Sequence, residues 1–403
     1  MKVALVHDYL NEFGGAERVL LALSEIYPDA PIYTAFYRDG SSAYKRFKGK
    51  RIITSWAQNV PFFASKLHSP LRFLAPFIWN SFDFSGFDVV IGSSNWYVTK
   101  GFKRIKSIKG NKSFVEICYC HTPPRYLYGY ATASSLQKYW IVKVYALLVN
   151  HFMRVYDFEA AQRVNYFIAN SKEVQSRVKK FYRRESTVIY PPVDTKKLET
   201  RNSKLEKQGK YFLVVSRLVG AKNVDIAVEV CRNLRLPLKI VGTGRELENL
   251  KRIASGDNSS RHSRFNRESD SRIRENDNNS LSTIEFLGDV SDSELVKLYQ
   301  GCRALIFSGS QEDFGIVPVE AMAAGKPVIA LAEGGVKETV IDGKTGLWVD
   351  DLASGAFVIA INKFLEMEKK GQWDADFIRK HAEKFSKERF KREIKKFVES
   401  KVK

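Results

Sequence analysis

The densest chemistry in the chain lies in Glu312-Asp313-Phe314-Gly315-Ile316-Val317-Pro318-Val319-Glu320, where two glutamates stand eight residues apart. An apolar strand over 304–307 ends just before this run, and Pro318 suits the first turn of a helix extending to Gly325. Backbone N–H groups at Phe314, Gly315, Ile316 and Val317 are then free to bind an anion or sugar hydroxyls. Glu320, half a turn in, can reach a ligand lying across that end, although acids at a helix start also suit the macrodipole with no ligand at all. Gly14 and Gly15 follow a strand over 1–7 and precede a helix over 16–26. Lacking Cβ atoms, they let backbone approach a diphosphate or a second substrate closely, or they simply make the turn. Their spacing is not the GxGxxG of dinucleotide enzymes. Arg217 and Lys222, five apart at the end of a strand over 211–216, are a pair of cations that could stabilise developing negative charge. Cys118-x-Cys120-His121 offers metal-ligand types, but alternate strand residues share one face and His121 points to the other, so no metal site is expected.

Positioning these groups requires strands that end where the loops begin. Further apolar strands are expected at 31–34, 88–92, 113–120, 166–169 and 186–190, giving with 1–7 a first Rossmann-like domain over 1–195. A polar, lysine-rich linker follows over 196–210. The pattern then restarts, with strands at 211–216, 238–241, 283–287, 304–307, 327–331 and 346–349 and helices at 225–232 and 246–253, giving a second α/β domain over 211–372. Two such halves are expected to enclose a ligand cleft. Within the second, 256–282 is almost devoid of apolar residues, carries five arginines against five acids, and is expected to be a disordered insertion. A basic helical tail over 373–403 has apolar positions Phe385, Phe390, Ile394 and Phe397, a stripe that suits either docking on the protein or a membrane.

Composition narrows the classes. With 403 residues, 44% of them hydrophobic, the chain is too long for one core and too apolar for a disordered tail. Four cysteines in apolar surroundings, with no signal-peptide pattern before them, point to a reducing cytoplasm. The longest apolar stretch, 139–152, is broken by Lys143 and Asn150 and is too short to span a bilayer. The net charge of +20 is concentrated in acid-free runs at 45–51 and 100–112 and in the tail, where 379–403 holds eleven bases against four acids. Such runs fit an anionic membrane surface. A run rich in aromatic and basic residues over 56–79, with Phe62, Phe63, Lys66, Phe73 and Phe77, suits a membrane-touching acceptor face or a buried helix pair. No RNA- or DNA-binding motif is present to make nucleic acid the partner.

The run QEDFGIVPVEAMAAGKPVIA, with Glu333-Gly334-Gly335 and DGKTG at 342–346 after it, resembles the donor-binding core of retaining glycosyltransferases of family 4, which have the GT-B fold. HDYLNEFGGAERVL at 7–20, CYCHTPPRYLY at 118–128, IANS at 168–171, VIYPPVD at 188–194 and SRLVGAKNVDIAV at 216–228 follow in the family's order, most like its mannose-transferring branch of surface polysaccharide assembly. The resemblance implies two Rossmann-like domains with the C-terminal helix packing back towards the first. It implies transfer of a hexose, mannose foremost, from a nucleotide diphosphate sugar such as GDP-mannose to a glycan or polyprenyl-linked acceptor, with retention and no metal or other cofactor. A UDP-sugar donor, or epimerase chemistry on the same fold, are the alternatives. By the same resemblance Arg217 and Lys222 stabilise the departing diphosphate, His121 meets the transferred sugar, Glu312 holds its hydroxyls and Glu320 the ribose. Gly14, Gly15, Gly242, Gly244 and Asp313 complete the donor set with the 314–317 backbone. Asp8, Glu17 and Arg125 are candidates for acceptor contact, and the enzyme is expected on the inner face of the cytoplasmic membrane.

Overall fold

The computed structural model describes residues 1–104, 114–130, 140–199, 209–256 and 284–402, with only the backbone of Ile141 and Val142. The expected insertion, most of the expected linker and the larger part of the 100–112 basic run lie outside these residues. The chain divides into two compact units: Met1–Thr195 with Gln311–Ile316 and Glu383–Lys403, and Lys196–Ser310 with Val317–Ala382.

The first unit is built on a parallel sheet of β1 (Val3–His7), β2 (Ile32–Thr34), β3 (Ile52–Thr54), β4 (Val89–Ser94), β5 (Val115–Cys120), β6 (Tyr166–Ala169) and β7 (Ser186–Val188), in the order β3-β2-β1-β4-β5-β6-β7. All five residues of β1 and all six of β4 are buried, which explains why their sequences read as unbroken apolar or small-residue runs instead of alternating. The helices that cover the sheet include α1 (Gly15–Ile26), α2 (Trp140–Arg163) and α3 (Lys172–Tyr182). The order reverses at β1, which has β2 on one side and β4 on the other, so the carboxyl ends of β1 and β4 flank the switch point. Strand β3 was not anticipated from the sequence; three residues at a sheet edge carry too short a pattern to read.

The C-terminal helix Lys387–Lys401 buries Phe390, Ile394 and Val398 in this unit, against a core that includes Val3, Leu5, Leu20, Leu23, Tyr119 and Ile189. Its apolar stripe is therefore a docking face, and the membrane alternative for that stripe falls away; Val398 takes the place expected of Phe397, which is half-buried. The tail divides between the units, since the helix Ala375–Ala382 belongs to the second.

The second unit has the parallel order β10-β9-β8-β11-β12-β13, from β8 (Tyr211–Val215), β9 (Leu238–Val241), β10 (Ile284–Gly288), β11 (Cys302–Phe307), β12 (Val328–Leu331) and β13 (Gly346–Val349). Its helices include α4 (Val224–Asn233), α5 (Ile316–Ala323), which starts in the first unit, and α6 (Ser354–Lys369). The switch point here lies between β8 and β11. Residues 196–198, expected to open the linker, form a helical turn with Thr195, Thr195–Leu198.

Candidate functional site

In the first unit the register brings chemistry together at the switch point. His7 closes β1 and pairs with Ser93 of β4, and Ser94 pairs with Cys120, one residue before His121. His121 Nε2 lies 2.8 Å from Ser93 Oγ, and His7 Nδ1 lies 3.0 Å from the same oxygen. His7 Nε2 is 3.3 Å from Glu17 Oε1. Burial, with the neighbouring His7 second, pushes the His121 pKa down to about 3, so its imidazole is neutral at physiological pH.

Glu17 does two jobs at the start of α1. Its Oε2 accepts the Gly14 N–H at 2.8 Å, the backbone half of a capping box, while Oε1 faces His7. Glu17 therefore organises the glycine turn and the histidine, a different task from the acceptor contact expected of it. Gly15 is needed for packing as well as turning, because a Cβ there would stand 3.0 Å from Ile316 Cδ1. Asp8 is a clearer correction. Its carboxylate is 4% exposed and accepts from the backbone N–H groups of Trp96 and Tyr97 and from the Thr99 hydroxyl. Those bonds fix the loop that leaves β4, so Asp8 is not placed to orient an acceptor hydroxyl.

The loop carrying Glu312 packs within the first unit through Asp313. Asp313 Oδ1 binds Arg177 Nη1 and lies 3.0 Å from Arg125 Nη2, while its carbonyl accepts from the Ser171 hydroxyl. Arg177, 3% exposed, also donates to Thr122 Oγ1 at 3.1 Å and stacks on the Tyr130 ring. Arg125 donates to the Gln311 carbonyl at 2.6 Å, and despite burial the Asp313 and Glu312 charges hold its pKa above the ordinary value. Asp313 and Arg125, read from sequence as ligand contacts, thus form an internal clasp that holds the loop 311–316 in the first unit. Arg177 and Ser171 escaped notice as members of it: Ser171 caps α3 and Arg177 lies within it, with no local signal of a partner more than a hundred positions away.

The Cys118 and Cys120 thiols face the dry cluster with Phe167, Val174 and Val178, and burial pushes both pKa values up, to about 12 for Cys120. That environment suits thiols, not ligating thiolates. Lys100, counted from sequence among surface charges, is buried in an ion pair with Asp157, whose other oxygen accepts from the Tyr128 hydroxyl. Of the 56–79 run, Phe63 and Trp79 are core residues, as the buried reading expects, while Phe62 and Phe77 are exposed.

In the second unit Arg217, Lys222, Gly242 and Gly244 gather at the carboxyl ends of β8 and β9. Gly242 has φ of +127°, and a Cβ there would meet Ser216 O at 1.9 Å, so glycine is what lets the two strand ends close up. Leu218 N–H donates to Thr243 O at 2.9 Å across that contact. Lys222 ends a one-turn helix pinned to β11: the Ser308 hydroxyl donates to Lys222 O at 3.0 Å, and the Asn223 amide donates to Ser308 O at 3.1 Å. Arg217 is exposed and Lys222 half-buried. Glu320 is 5% exposed in α5, and its Oε2 accepts from the Tyr299 hydroxyl at 2.8 Å. Asn223, Ser308 and Tyr299 were not singled out by sequence; the first two meet through the pairing of β8 with β11, and Tyr299 reaches Glu320 from the helix Asp292–Gly301. A cavity of about 510 Å³ beside Lys210, Arg303 and Glu368 lies at the opposite, amino ends of β8 and β11 and takes no part in this site.

Comparison with known proteins agrees with this arrangement. The family described as Glycosyltransferase Family 4 matches residues 13–197, and Glycosyl transferases group 1 matches residues 195–392. A glycosyltransferase of Methanocaldococcus jannaschii is 29% identical over 45% of this chain and 44% of its own length. The alpha-1,3/1,6-mannosyltransferase of Candida glabrata is 26% identical over 85% of this chain and 78% of its own. A GDP-mannose-dependent phosphatidylinositol monomannoside mannosyltransferase of Mycolicibacterium smegmatis is 34% identical over 38% of this chain and 37% of its own. Among solved structures, Anabaena HepE with UDP and glucose matches in fold with a TM-score of 0.69 at 20% identity, covering 99% of this chain and 100% of that one. The two switch-point sites thus sit on a GT-B scaffold, and the chain belongs to the group 1, family 4 glycosyltransferases.

Proposed function

We propose that this glycosyltransferase moves a mannosyl group from GDP-mannose to a glycan or polyprenyl-linked oligosaccharide, with retention of configuration and without a metal. The observation that carries the reading is the pinned turn bearing Lys222, five residues after Arg217 at the second switch point, in a chain with mannosyltransferase relatives. As the glycosidic bond stretches, its electron pair goes to the diphosphate oxygen, and two fixed cations there do the electrostatic work a metal does elsewhere. Glu312 holds sugar hydroxyls and supports positive charge at the anomeric carbon, His121 meets the sugar, and Glu320 accepts from the ribose. The departing phosphate oxygen takes the acceptor's proton on the face it leaves, which gives retention. The acceptor is presented at the inner face of an anionic membrane, in surface polysaccharide assembly. Among the described residues no helix is long and apolar enough to cross a membrane, so the contact is peripheral.

A thermal-shift screen of GDP-mannose against UDP-sugars tests the donor, and turnover of the stabilising donor with EDTA tests the metal. HepE was solved with UDP and glucose; stabilisation by UDP-sugars alone would move this chain to that donor class. Nucleoside diphosphate released only when acceptor is added separates transfer from epimerisation.

A further inference from the structure

Among the described residues, the unit covers only one side of helix α2, and much of the other side is apolar. Met153, Asp157 and Ala160 face inward, whereas Trp140, Val144, Leu147, Leu148, Phe152 and Val155 are exposed, Leu147 and Leu148 by 67% and 68%. At 3.6 residues per turn these exposed side chains fall within an arc of about 140°. The exposed Lys143 and Arg154 sit along one border of that arc, and there is no acid between Trp140 and Tyr156. The exposed His151 falls within the same arc, but a soluble surface rarely shows so many large apolar side chains on one face without a partner. We propose that this face lies flat in the headgroup layer of an anionic membrane. The charge decides the occupant: a second copy of a +20 chain would bring like charges together, while anionic lipid neutralises the bordering Lys143 and Arg154. The proposal gives the membrane contact of the proposed function a location, and its test is independent of turnover.

Vesicles of phosphatidylcholine with phosphatidylglycerol, and of phosphatidylcholine alone, are sedimented with the full chain and with the doubly substituted Leu147→Asp, Leu148→Asp and Lys143→Glu, Arg154→Glu variants. The wild type pellets with the anionic vesicles, the leucine variant binds about tenfold or more weakly, and the charge variant loses the preference for anionic lipid. Unchanged binding by the leucine variant overturns the proposal. So does a wild-type dimer in solution that the leucine variant abolishes, which would make the face a self-interface. Donor turnover with a soluble acceptor is measured in parallel: if it is absent from every form, the transferase reading fails while the vesicle result still stands.

An independent observation carries a second inference. The Glu17 carboxylate only accepts, so His7 Nε2 carries the proton between them. In the neutral ring His7 Nδ1 then accepts from the Ser93 hydroxyl, and Ser93 Oγ in turn accepts from His121 Nε2–H. The structure assigns Glu17, His7 and Ser93 as positioning residues that fix His121 in the tautomer with a bare Nδ1, an atom with no hydrogen bond among the described residues. On the proposed function, that nitrogen accepts from a hydroxyl of the donor sugar. With six histidines in the chain, ¹⁵N-histidine NMR reads the tautomer directly and without substrate. The expected spectrum shows His121 protonated at Nε2, and Ser93→Ala gives a mixed signal. His121 protonated at Nδ1 in the wild type, or a spectrum that Ser93→Ala leaves unmoved, overturns the assignment.

Discussion

The C-terminal helix Lys387–Lys401 and helix α2 both carry an apolar stripe, and the first unit treats them in opposite ways. The C-terminal helix is strongly basic, yet Phe390, Ile394 and Val398 are buried and two of its lysines meet an acid: Lys387 and Lys391 lie 3.3 Å and 2.5 Å from Glu25 of α1. Helix α2 is far more apolar and still leaves Trp140, Leu147 and Leu148 exposed. Hydrophobicity therefore does not decide which face is covered; the availability of a complementary surface does. The C-terminal helix meets an apolar gap lined by α1, β1 and β5, whereas the outer face of α2 has no such counterpart among the described residues.

The comparison can be broken by substitution. Phe390→Asp places an uncompensated charge where exposure is nil and should cost about 4 kcal/mol or more, read as a collapse in thermal or denaturant midpoint. Retention of the wild-type midpoint would mean the helix is not docked. Ile394→Ala should cost roughly 2–4 kcal/mol by the same measurement. Leu147→Asp, a comparable insult on the other stripe, should change stability by about 1 kcal/mol or less, since nothing is vacated; a loss as large as that at Ile394 would show the α2 face covered after all. The smallest effect concerns pH. Burial alone would raise the Glu25 pKa, but Lys391 and Lys387 together bring it below the ordinary value of 4.5. A lowered carboxylate pKa stabilises above the unfolded value and is lost as pH falls through the folded one. Glu25→Gln should therefore lower stability at neutral pH by no more than about 1 kcal/mol for so exposed a pair, with the difference from the wild type vanishing as pH falls below about 4.5.

Much of the fold was legible because parallel strands buried on both faces announce themselves as short apolar runs. The runs at 1–7, 113–120 and 304–307 each became a strand. The site was legible only in part. Glycines 242 and 244 stand where a Cβ would meet the backbone of Ser216 and Leu218, and the cations Arg217 and Lys222 follow the carboxyl end of β8. Asp8, by contrast, reads as an available carboxylate and is spent on the backbone of Trp96 and Tyr97. Its partners lie nearly ninety residues on, and the hydrogen bond is set by the pairing of β1 with β4. The same applies to Asp313, whose partners Arg125 and Arg177 arrive from β5's exit loop and from α3.

By itself the sequence determined the two parallel α/β units and the residues at the strand ends, because apolar period, glycine placement and charge are local properties of the chain; the reaction class was legible only through the resemblance of its motifs to a glycosyltransferase family. Tertiary structure alone decided which of those residues are spent on the protein and which are presented, that His7, Ser93, Glu17 and His121 form one hydrogen-bonded line, and that α2 rather than the tail shows its apolar face to the outside. Those outcomes follow from strand register and from which surfaces meet, and both depend on residues far apart in the chain.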